Sequence, residues 1–484
     1  MSEVTASLPD TSSSSRHLTT LLQNDLLLLV IILLLGAALR FIALGYWSFW
    51  TDELYTWRLV VPELKILTLG VPDDQHPPLY YLLFHAMLQI RDNDVWLRLP
   101  SALAGWLAII GMWRIGVVGR RPRWGLLAAA LLALSPLHIW YSREARMYGL
   151  ASLFWVLSLY YFIASFERDS WIDMFGLAAA TLLGLFTAYP TLGLWGLQLS
   201  LFWLCWHLAG RKIGRLLRWL LAQGLITAVF ALWWPLMQEQ LQRGLTFNWP
   251  ILPQFGIDLS GTLADTLSLA LAAGGLVVLG GILLWLIVWW QPRLLQWAQK
   301  LLPIIAIAII LAFILATVAG AIPRGLSIRR QLFVFWPVAI LLATWAFASI
   351  HKPQLVGVIL GVSLVLAAIT AWGRPFEDWR GIAQYIEANG QPGDVVVLTP
   401  GWARMAFDRY YANGRFPYQG ANNNAYADDA PAPFAAGQRV WLVWINTETT
   451  DAQTTPITHW FASHADNLTR RDFRHLTVIE YAVR

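Results

Sequence analysis

Two short polar stretches interrupt long apolar runs: Thr51-Asp52-Glu53, continued by Asp73-Asp74-Gln75-His76-Pro77-Pro78, and Ser142-Arg143-Glu144-Ala145-Arg146-Met147-Tyr148. Each stands where an apolar run ends. In a chain that crosses a membrane, ionisable groups at that depth are costly unless they pair, reach water or do chemistry, so they mark a candidate site. Whether the two stretches can cooperate depends on which side of the membrane each faces.

The rest of the sequence supports the membrane setting. Of 484 residues 57% are hydrophobic and 13% charged, about half the ~25% charged share of a soluble domain. Mean hydropathy is +0.52. The 29 Trp and 15 Tyr suit the headgroup level, where amphipathic rings settle. A net charge of +5 does not argue for nucleic acid as a partner, because the basic residues cluster in short connections. Cys205 is the one cysteine and lies in an apolar run, which excludes an intrachain disulfide.

A span needs about 20 mostly apolar residues. By that measure the sequence predicts eleven, near 24–46, 97–118, 124–141, 147–165, 172–188, 190–209, 217–235, 264–290, 301–321, 331–349 and 354–372. Residues 1–20 are Ser/Thr-rich and read as a disordered cytoplasmic tail. The run from Leu26 to Leu44 exceeds a signal-peptide core of roughly 7–15 residues, so it reads as the first span. Leu79 to Ile90 is apolar but too short to cross, and is expected to lie on the membrane as an interfacial helix.

Lys and Arg in the short loops orient the chain. With the N-terminus inside, Arg120-Arg121-Pro122-Arg123, Arg168, Arg211-Lys212 to Arg218, Arg293 with Lys300, and His351-Lys352 are cytoplasmic. The first external loop (47–96), the Ser142 to Arg146 stretch and residues 373–484 then share the opposite side. One loop breaks the rule: Ile322-Pro323-Arg324-Gly325-Leu326-Ser327-Ile328-Arg329-Arg330 puts three Arg outside. Snorkelling to headgroups is one explanation. A bound anion is the better one, because guanidinium groups hold phosphate bidentately.

From Trp372 the composition becomes that of a soluble α/β domain. An amphipathic helix is expected over Phe376 to Ala388 and a turn at Gln391 to Asp394. A strand at Val395 to Leu398 and a helix from Ala403 to Tyr411 follow. Asn413 to Gln438 reads as loop, and Val440 to Ile445 and Leu476 to Val483 as two further strands.

A carboxylate with lipid on one side and water on the other suits general-base work, since partial desolvation raises its pKa. Asp52 and Glu53 follow the aromatic run Tyr46-Trp47-Ser48-Phe49-Trp50 and fit that description; Asp52 could equally cap the next helix. Asp73, Asp74 and His76 offer carboxylates and an imidazole held stiff by Pro77-Pro78, suited to a divalent ion or a sugar hydroxyl. In the second stretch helical spacing would pair Arg143 with Met147 and Glu144 with Tyr148. A salt bridge between Glu144 and a neighbouring Arg would be the purely structural use. There is no Walker loop, dinucleotide fingerprint, HExxH or Cys-rich zinc pattern.

Trp50 to Trp57, His76-Pro77-Pro78-Leu79-Tyr80-Tyr81, Arg98-Leu99-Pro100-Ser101-Ala102-Leu103 and Trp140 to Leu150 occur in an order that resembles glycosyltransferase family 39. This GT-C group includes the protein O-mannosyltransferases and the lipid A aminoarabinose transferase. The likeness is specific over residues 40 to 165 and loose beyond; the 324–330 loop and Phe376-Glu377-Asp378-Trp379-Arg380 are similar to bacterial members.

The resemblance implies a GT-C transmembrane domain (21–372) with a small extracytoplasmic α/β domain (373–484), and an enzyme that moves a sugar from a polyprenyl phosphate to a hydroxyl acceptor with inversion. It implies Asp52 as the catalytic carboxylate acting at the acceptor hydroxyl, with Glu53 beside it. Arg143, Arg146, Arg324, Arg329 and Arg330 would hold the donor phosphate, and Asp74, His76 and Tyr148 would position donor or acceptor. Glu144 stands where relatives place an acid that helps bind a metal (Mg, Mn or Zn), though several use Asp there. The implied setting is the cell inner membrane, with the bilayer, the lipid-linked sugar and the acceptor as partners. A transporter or flippase for a lipid-linked sugar is the competing class, against which stands the lack of repeated halves and of Gly/Pro-broken midspan helices. A membrane-anchored sensor would put function in 373–484, where the sequence concentrates no chemistry.

Overall fold

The computed structural model describes residues 11–60, 76–245, 333–350, 352–373, 377–421, 433–445 and 451–484, with a few positions between 307 and 315. Asp73, Asp74 and the whole loop carrying Arg324, Arg329 and Arg330 lie outside the described residues, as do the spans expected at 264–290 and most of 301–321.

The membrane half is helical. It comprises α1 (Thr11–Phe41), α2 (Thr51–Val60), α3 (Leu79–Ile90), α4 (Asp94–Val118), α5 (Pro122–Ala133), α6 (Pro136–Ser142), α7 (Tyr148–Glu167), α8 (Trp171–Thr187), α9 (Thr191–Leu208) and α10 (Ile213–Leu245). After a short 3-10 turn at Phe333–Phe335 come α11 (Trp336–Ile350) and α12 (Pro353–Trp372). Among the described residues five helices are long and apolar enough to cross a membrane, or six if the bent pair α5–α6 is one span. The short apolar helix expected at Leu79 to Ile90 is present.

Helix starts follow local chemistry. Asn93 caps α4 by accepting from Trp96 N–H at 2.8 Å, and Ser170 caps α8 through Ile172 N–H at 3.1 Å. The span expected at 124–141 is broken, with a 64° bend between α5 and α6. Pro136 has no N–H to continue the ladder, and Ser135 turns its hydroxyl to His138 N–H at 3.3 Å, starting a new helix. In lipid the freed carbonyls need another partner. Arg40 supplies it, donating to Ala133 O at 3.1 Å and Leu132 O at 3.2 Å.

A second departure concerns residues 143–147, which form a turn between α6 and α7, so the helical pairing of Arg143 with Met147 does not exist. Glycine lets α7 lie close to α4: a Cβ at Gly149 would come within 2.6 Å of Ser101 O.

Beyond α12 the chain forms α13 (Trp379–Asn389), β1 (Val395–Thr399), a 3-10 turn, α14 (Arg404–Tyr410), β2 (Tyr418–Gly420), β3 (Arg439–Ile445), α15 (Asp451–His464), β4 (Ala465–Phe473) and β5 (Leu476–Val483). The sheet order is β2-β1-β3-β5-β4, with β1 parallel to β2 and β3 and the other pairs antiparallel. Alternation gives each strand two faces. Val396, Leu398, Trp441 and Val443 join α13 and a core continuous with Phe49 and Trp50. Val397, Val440 and Leu442 pack under Trp460 and Phe461 of α15. Strand β2 corrects the loop expected at 413–438; α15 and β4 were not anticipated from sequence. β4 is an edge strand whose residues 466–472 are all exposed, so it shows no apolar alternation to read.

The basic loops meet acids of their own on one side: Arg120 with Glu167 at 3.1 Å, Arg123 with Asp25 at 3.6 Å, and Asp169 with Arg215 at 3.3 Å and with Arg218. Thr51 to Glu53, the Ser142 to Tyr148 stretch and the sheet domain come together away from these pairs.

Candidate active site

The first turn of α2 is where the two polar stretches meet. Trp50 precedes the helix, and its N–H donates to Glu53 Oε2 at 3.3 Å, the reciprocal half of a capping box. That places Asp52, partly exposed, and Glu53, fully buried, side by side but in different surroundings.

Glu53, expected as a catalytic partner of Asp52, is instead held in an ion pair with Arg98. Arg98 Nε donates to Oε1 at 2.8 Å and Nη2 to Oε2 at 2.6 Å. Neither side chain is more than 1% exposed, so a partner is obligatory. Arg98 also donates to the carbonyls of Leu44 at 2.9 Å, Trp47 at 2.8 Å and Ser48 at 3.1 Å. Three of its five hydrogen bonds thereby fix the 42–50 loop to α4. Oε1 of Glu53 also accepts Ala145 N–H at 2.6 Å. One carboxylate thus joins α2, α4 and the 143–147 turn.

Arg146 completes the join. Its Nη1 donates to Thr56 Oγ1 at 2.6 Å and Asp52 O at 3.3 Å, and its own carbonyl accepts from Ser101 Oγ at 2.8 Å. A guanidinium therefore lies along the helix that carries Asp52. Arg143, expected at a donor phosphate, closes the carboxyl end of α1 instead: it donates to Leu39 O, Arg40 O, Ile42 O and Ala43 O at 2.9–3.1 Å. Glu144 is fully buried in the turn between these two arginines. Tyr148 is buried against Tyr141, with ring centroids 4.6 Å apart. His76 accepts from Gln240 Nε2 at its carbonyl, 3.2 Å, which ties it to α10. Among the described residues no three His, Cys, Asp or Glu side chains gather as a metal would need. Asp73 and Asp74, the other acids expected to serve a divalent ion, lie outside the described residues.

Two contributors escaped the sequence reading of roles. Arg98 is a charge one turn inside an apolar helix, and that alone calls for an acid across from it. Glu377 comes from the far end of the chain: its Oε2 accepts Thr51 N–H at 2.8 Å and its Oε1 accepts Thr51 Oγ1–H at 3.0 Å. Ser48 Oγ donates to Glu377 O at 2.8 Å and accepts Trp379 N–H at 3.1 Å. Burial pushes the Glu377 carboxyl up to about 7, against the pull of the Thr51 and Trp379 donors, and the charge of Asp52 adds to the rise.

The sheet domain is clamped beside this junction. Arg409 reaches Asp94 and Asp92 at 2.7 Å each, Tyr410 Oη donates to Asp94 Oδ2 at 2.7 Å, and Phe49 N–H donates to Tyr410 Oη at 2.6 Å. Arg409 also lies over the Phe49 ring, 4.4 Å from its centroid.

Residues 75–234 match the family model of dolichyl-phosphate-mannose-protein mannosyltransferases. No curated protein matches the chain. Among solved structures, the chain is similar to the archaeal oligosaccharyltransferase AglB from Archaeoglobus fulgidus, in complex with an inhibitory peptide and a dolichol-phosphate. The TM-score is 0.50 at 13% identity, over 95% of this chain and 74% of that one. The same archaeal enzyme with Zn and sulfate gives 0.49 at 13%, over 94% and 73%. ArnT from Cupriavidus metallidurans bound to undecaprenyl phosphate gives 0.35 at 14%, over 93% and 97%. At these identities the likeness to the archaeal enzyme is one of fold. With the family match in its second to seventh expected spans, the chain is a multi-pass membrane protein with a GT-C-like fold, similar over residues 75–234 to the dolichyl-phosphate-mannose-protein mannosyltransferases.

Proposed function

We propose that the chain transfers a sugar from a polyprenyl phosphate to a hydroxyl acceptor on the extracytoplasmic face of the cell membrane. The observation that carries this reading is the join of the two polar stretches, with Ala145 N–H on Glu53 at 2.6 Å and Arg146 on the Asp52 helix. It sets Asp52, a partly exposed residue, on a helix whose backbone a guanidinium meets at the end of an apolar bundle. The family match at 75–234 and the fold support it. The archaeal relative was solved with a dolichol-phosphate and the bacterial one with undecaprenyl phosphate, and a polyprenyl phosphate is the donor class proposed here.

In this mechanism Asp52 takes the proton of the acceptor hydroxyl. The oxygen attacks the anomeric carbon as the bond to the phosphate oxygen breaks, and polyprenyl phosphate leaves with that electron pair. A single displacement inverts the anomeric configuration. Arg146, with Arg324, Arg329 and Arg330, answers the charge that grows on the leaving phosphate. Glu53 acts by fixing the helix, and His76 and Tyr148 are assigned to positioning donor or acceptor.

Purified protein incubated with polyprenyl-phosphate mannose and other polyprenyl-phosphate sugars should release polyprenyl phosphate. Asp52→Asn keeps the shape and removes the base, so turnover should fall by roughly 10²–10⁴-fold with folding intact. A fully active Asp52→Asn would end the general-base assignment. A protein that moves the intact lipid-linked sugar across a vesicle membrane without cleaving it would be a flippase.

A further inference from the structure

We propose that Glu377, supplied by the C-terminal region, is a positioning residue for the catalytic helix. This inference rests on the reading of Asp52 as the base. The first amide of a helix has no intrahelical acceptor, and an oxygen that takes it fixes where the helix begins. For α2 that oxygen belongs to Glu377. It receives Thr51 N–H at 2.8 Å, while its second oxygen takes the Thr51 hydroxyl at 3.0 Å. Thr51 is the residue next to Asp52. No residue within α2 does this work; Glu53, the natural candidate, turns back to Trp50 and out to Arg98.

The contact spans 326 residues of sequence, so it exists only when the C-terminal region is docked. The carboxylate is met by neutral donors alone: Thr51 N–H, Thr51 Oγ–H and, at 3.4 Å, Trp379 Nε1–H. Among the described residues no cation pairs with it, whereas Glu53, Asp92 and Asp94 at this junction each meet an arginine. A carboxylate used only to clamp the two halves together would be expected to pair with a cation, as Asp94 does with Arg409. A group that caps a helix end needs an acceptor oxygen and no partner charge.

A glutamine at this position keeps both contacts. Its carbonyl oxygen accepts Thr51 N–H, and its amide donates to the Thr51 hydroxyl, which turns from donor to acceptor. Alanine loses both. The test uses the full-length protein in detergent micelles with polyprenyl-phosphate mannose as the probe donor, with hydrogen exchange of the α2 amides as a readout independent of activity. Glu377→Ala should lower kcat about tenfold with KM for donor within twofold, and should speed exchange at the start of α2. Glu377→Gln should restore both to within about threefold of wild type. Ser48→Ala cuts the other tie between the 42–50 loop and Glu377 without uncapping α2, and should leave both readouts near wild type.

Three results would overturn the proposal. One is wild-type exchange at α2 in Glu377→Ala. A second is Glu377→Gln as impaired as Glu377→Ala, which would make the ionisable group itself the requirement. The third is Ser48→Ala reproducing Glu377→Ala, which would reduce the effect to docking. An active Asp52→Asn sinks the assignment of the base but leaves the exchange result standing, so the two failures are told apart. Should Glu377→Ala not fold, Glu377→Gln and Thr51→Val, which removes only the hydroxyl contact, carry the same comparison.

Discussion

Replacing Glu53 by Ala removes the acceptor of four hydrogen bonds at once: two from Arg98, one from Ala145 N–H and one from Trp50 N–H. What remains is a guanidinium 1% exposed with no carboxylate in hydrogen-bond contact, since its other hydrogen-bond partners are the carbonyls of Leu44, Trp47 and Ser48 and Asp94 acts on it only through space. Removing one member of a buried pair costs about 3–5 kcal/mol. For a chain of this length, at roughly 2.1 cal/mol/K of unfolding entropy per residue, the melting temperature should fall by ~3–5 °C. The structure also says how much a second mutation should recover. Glu53→Ala with Arg98→Met removes the orphaned charge but frees three carbonyls of the 42–50 loop, so recovery should be incomplete. A double-mutant cycle on melting in detergent should still give a coupling of about 2 kcal/mol or more, the upper range for contacting groups. Asp52→Asn, in the same assay, should melt like wild type. A Glu53→Ala protein that melts within 1 °C of wild type, with coupling near zero, would refute the claim that this pair anchors the active-site helix.

Two further outcomes are expected. Because the Glu377 carboxyl titrates at about 7 when folded and near 4.5 when free, its contribution to stability is fully present below about pH 4.5 and is lost as pH rises through 7. The shift corresponds to at most ~3 kcal/mol, and the partial exposure of Glu377 reduces that to about 1–2 kcal/mol. Measured as the difference in melting temperature from Glu377→Gln, wild type should match the variant at pH 4.5–5 and fall below it by pH 8; a difference that does not change with pH would contradict this. At the 322–330 loop, Arg324→Ala should weaken donor turnover about tenfold, since charge-assisted contacts contribute ~1.5–3 kcal/mol, and Arg324→Lys should recover only part of it. Snorkelling would make Lys equivalent to Arg and leave donor binding unchanged.

The sequence by itself determined the helices. A backbone in lipid must satisfy its polar groups within the segment, so long apolar runs had one solution, and the runs at 94–118, 148–167, 171–187 and 353–372 became helices close to where hydropathy put them. Leu79 to Ile90 was legible for the same reason, being apolar and too short to cross. Strands β1, β3 and β5 were legible because they are buried on both faces and read as unbroken apolar runs. That the Asp52 and Arg146 stretches would lie together was legible because charges at a membrane boundary must be accounted for.

Partnership was decided only by the tertiary structure. A window of hydropathy passes over a single Ser135-Pro136 step, but the bend there and the capture of its carbonyls by Arg40 depend on α1 lying alongside. Arg143 and Arg146 look alike in sequence. One closes the end of α1 and the other lies along α2, because successive residues of a turn point in different directions. Glu53 and Asp52 are likewise adjacent, yet the helix turns one toward Arg98, 45 residues away, and leaves the other partly open. Glu377 is the extreme case, joined to Thr51 across 326 residues. Periodicity fixes which face of an element a residue occupies. What that face meets is set by packing between segments far apart in the chain, and here packing buries Glu53 against Arg98 while leaving Asp52 partly exposed.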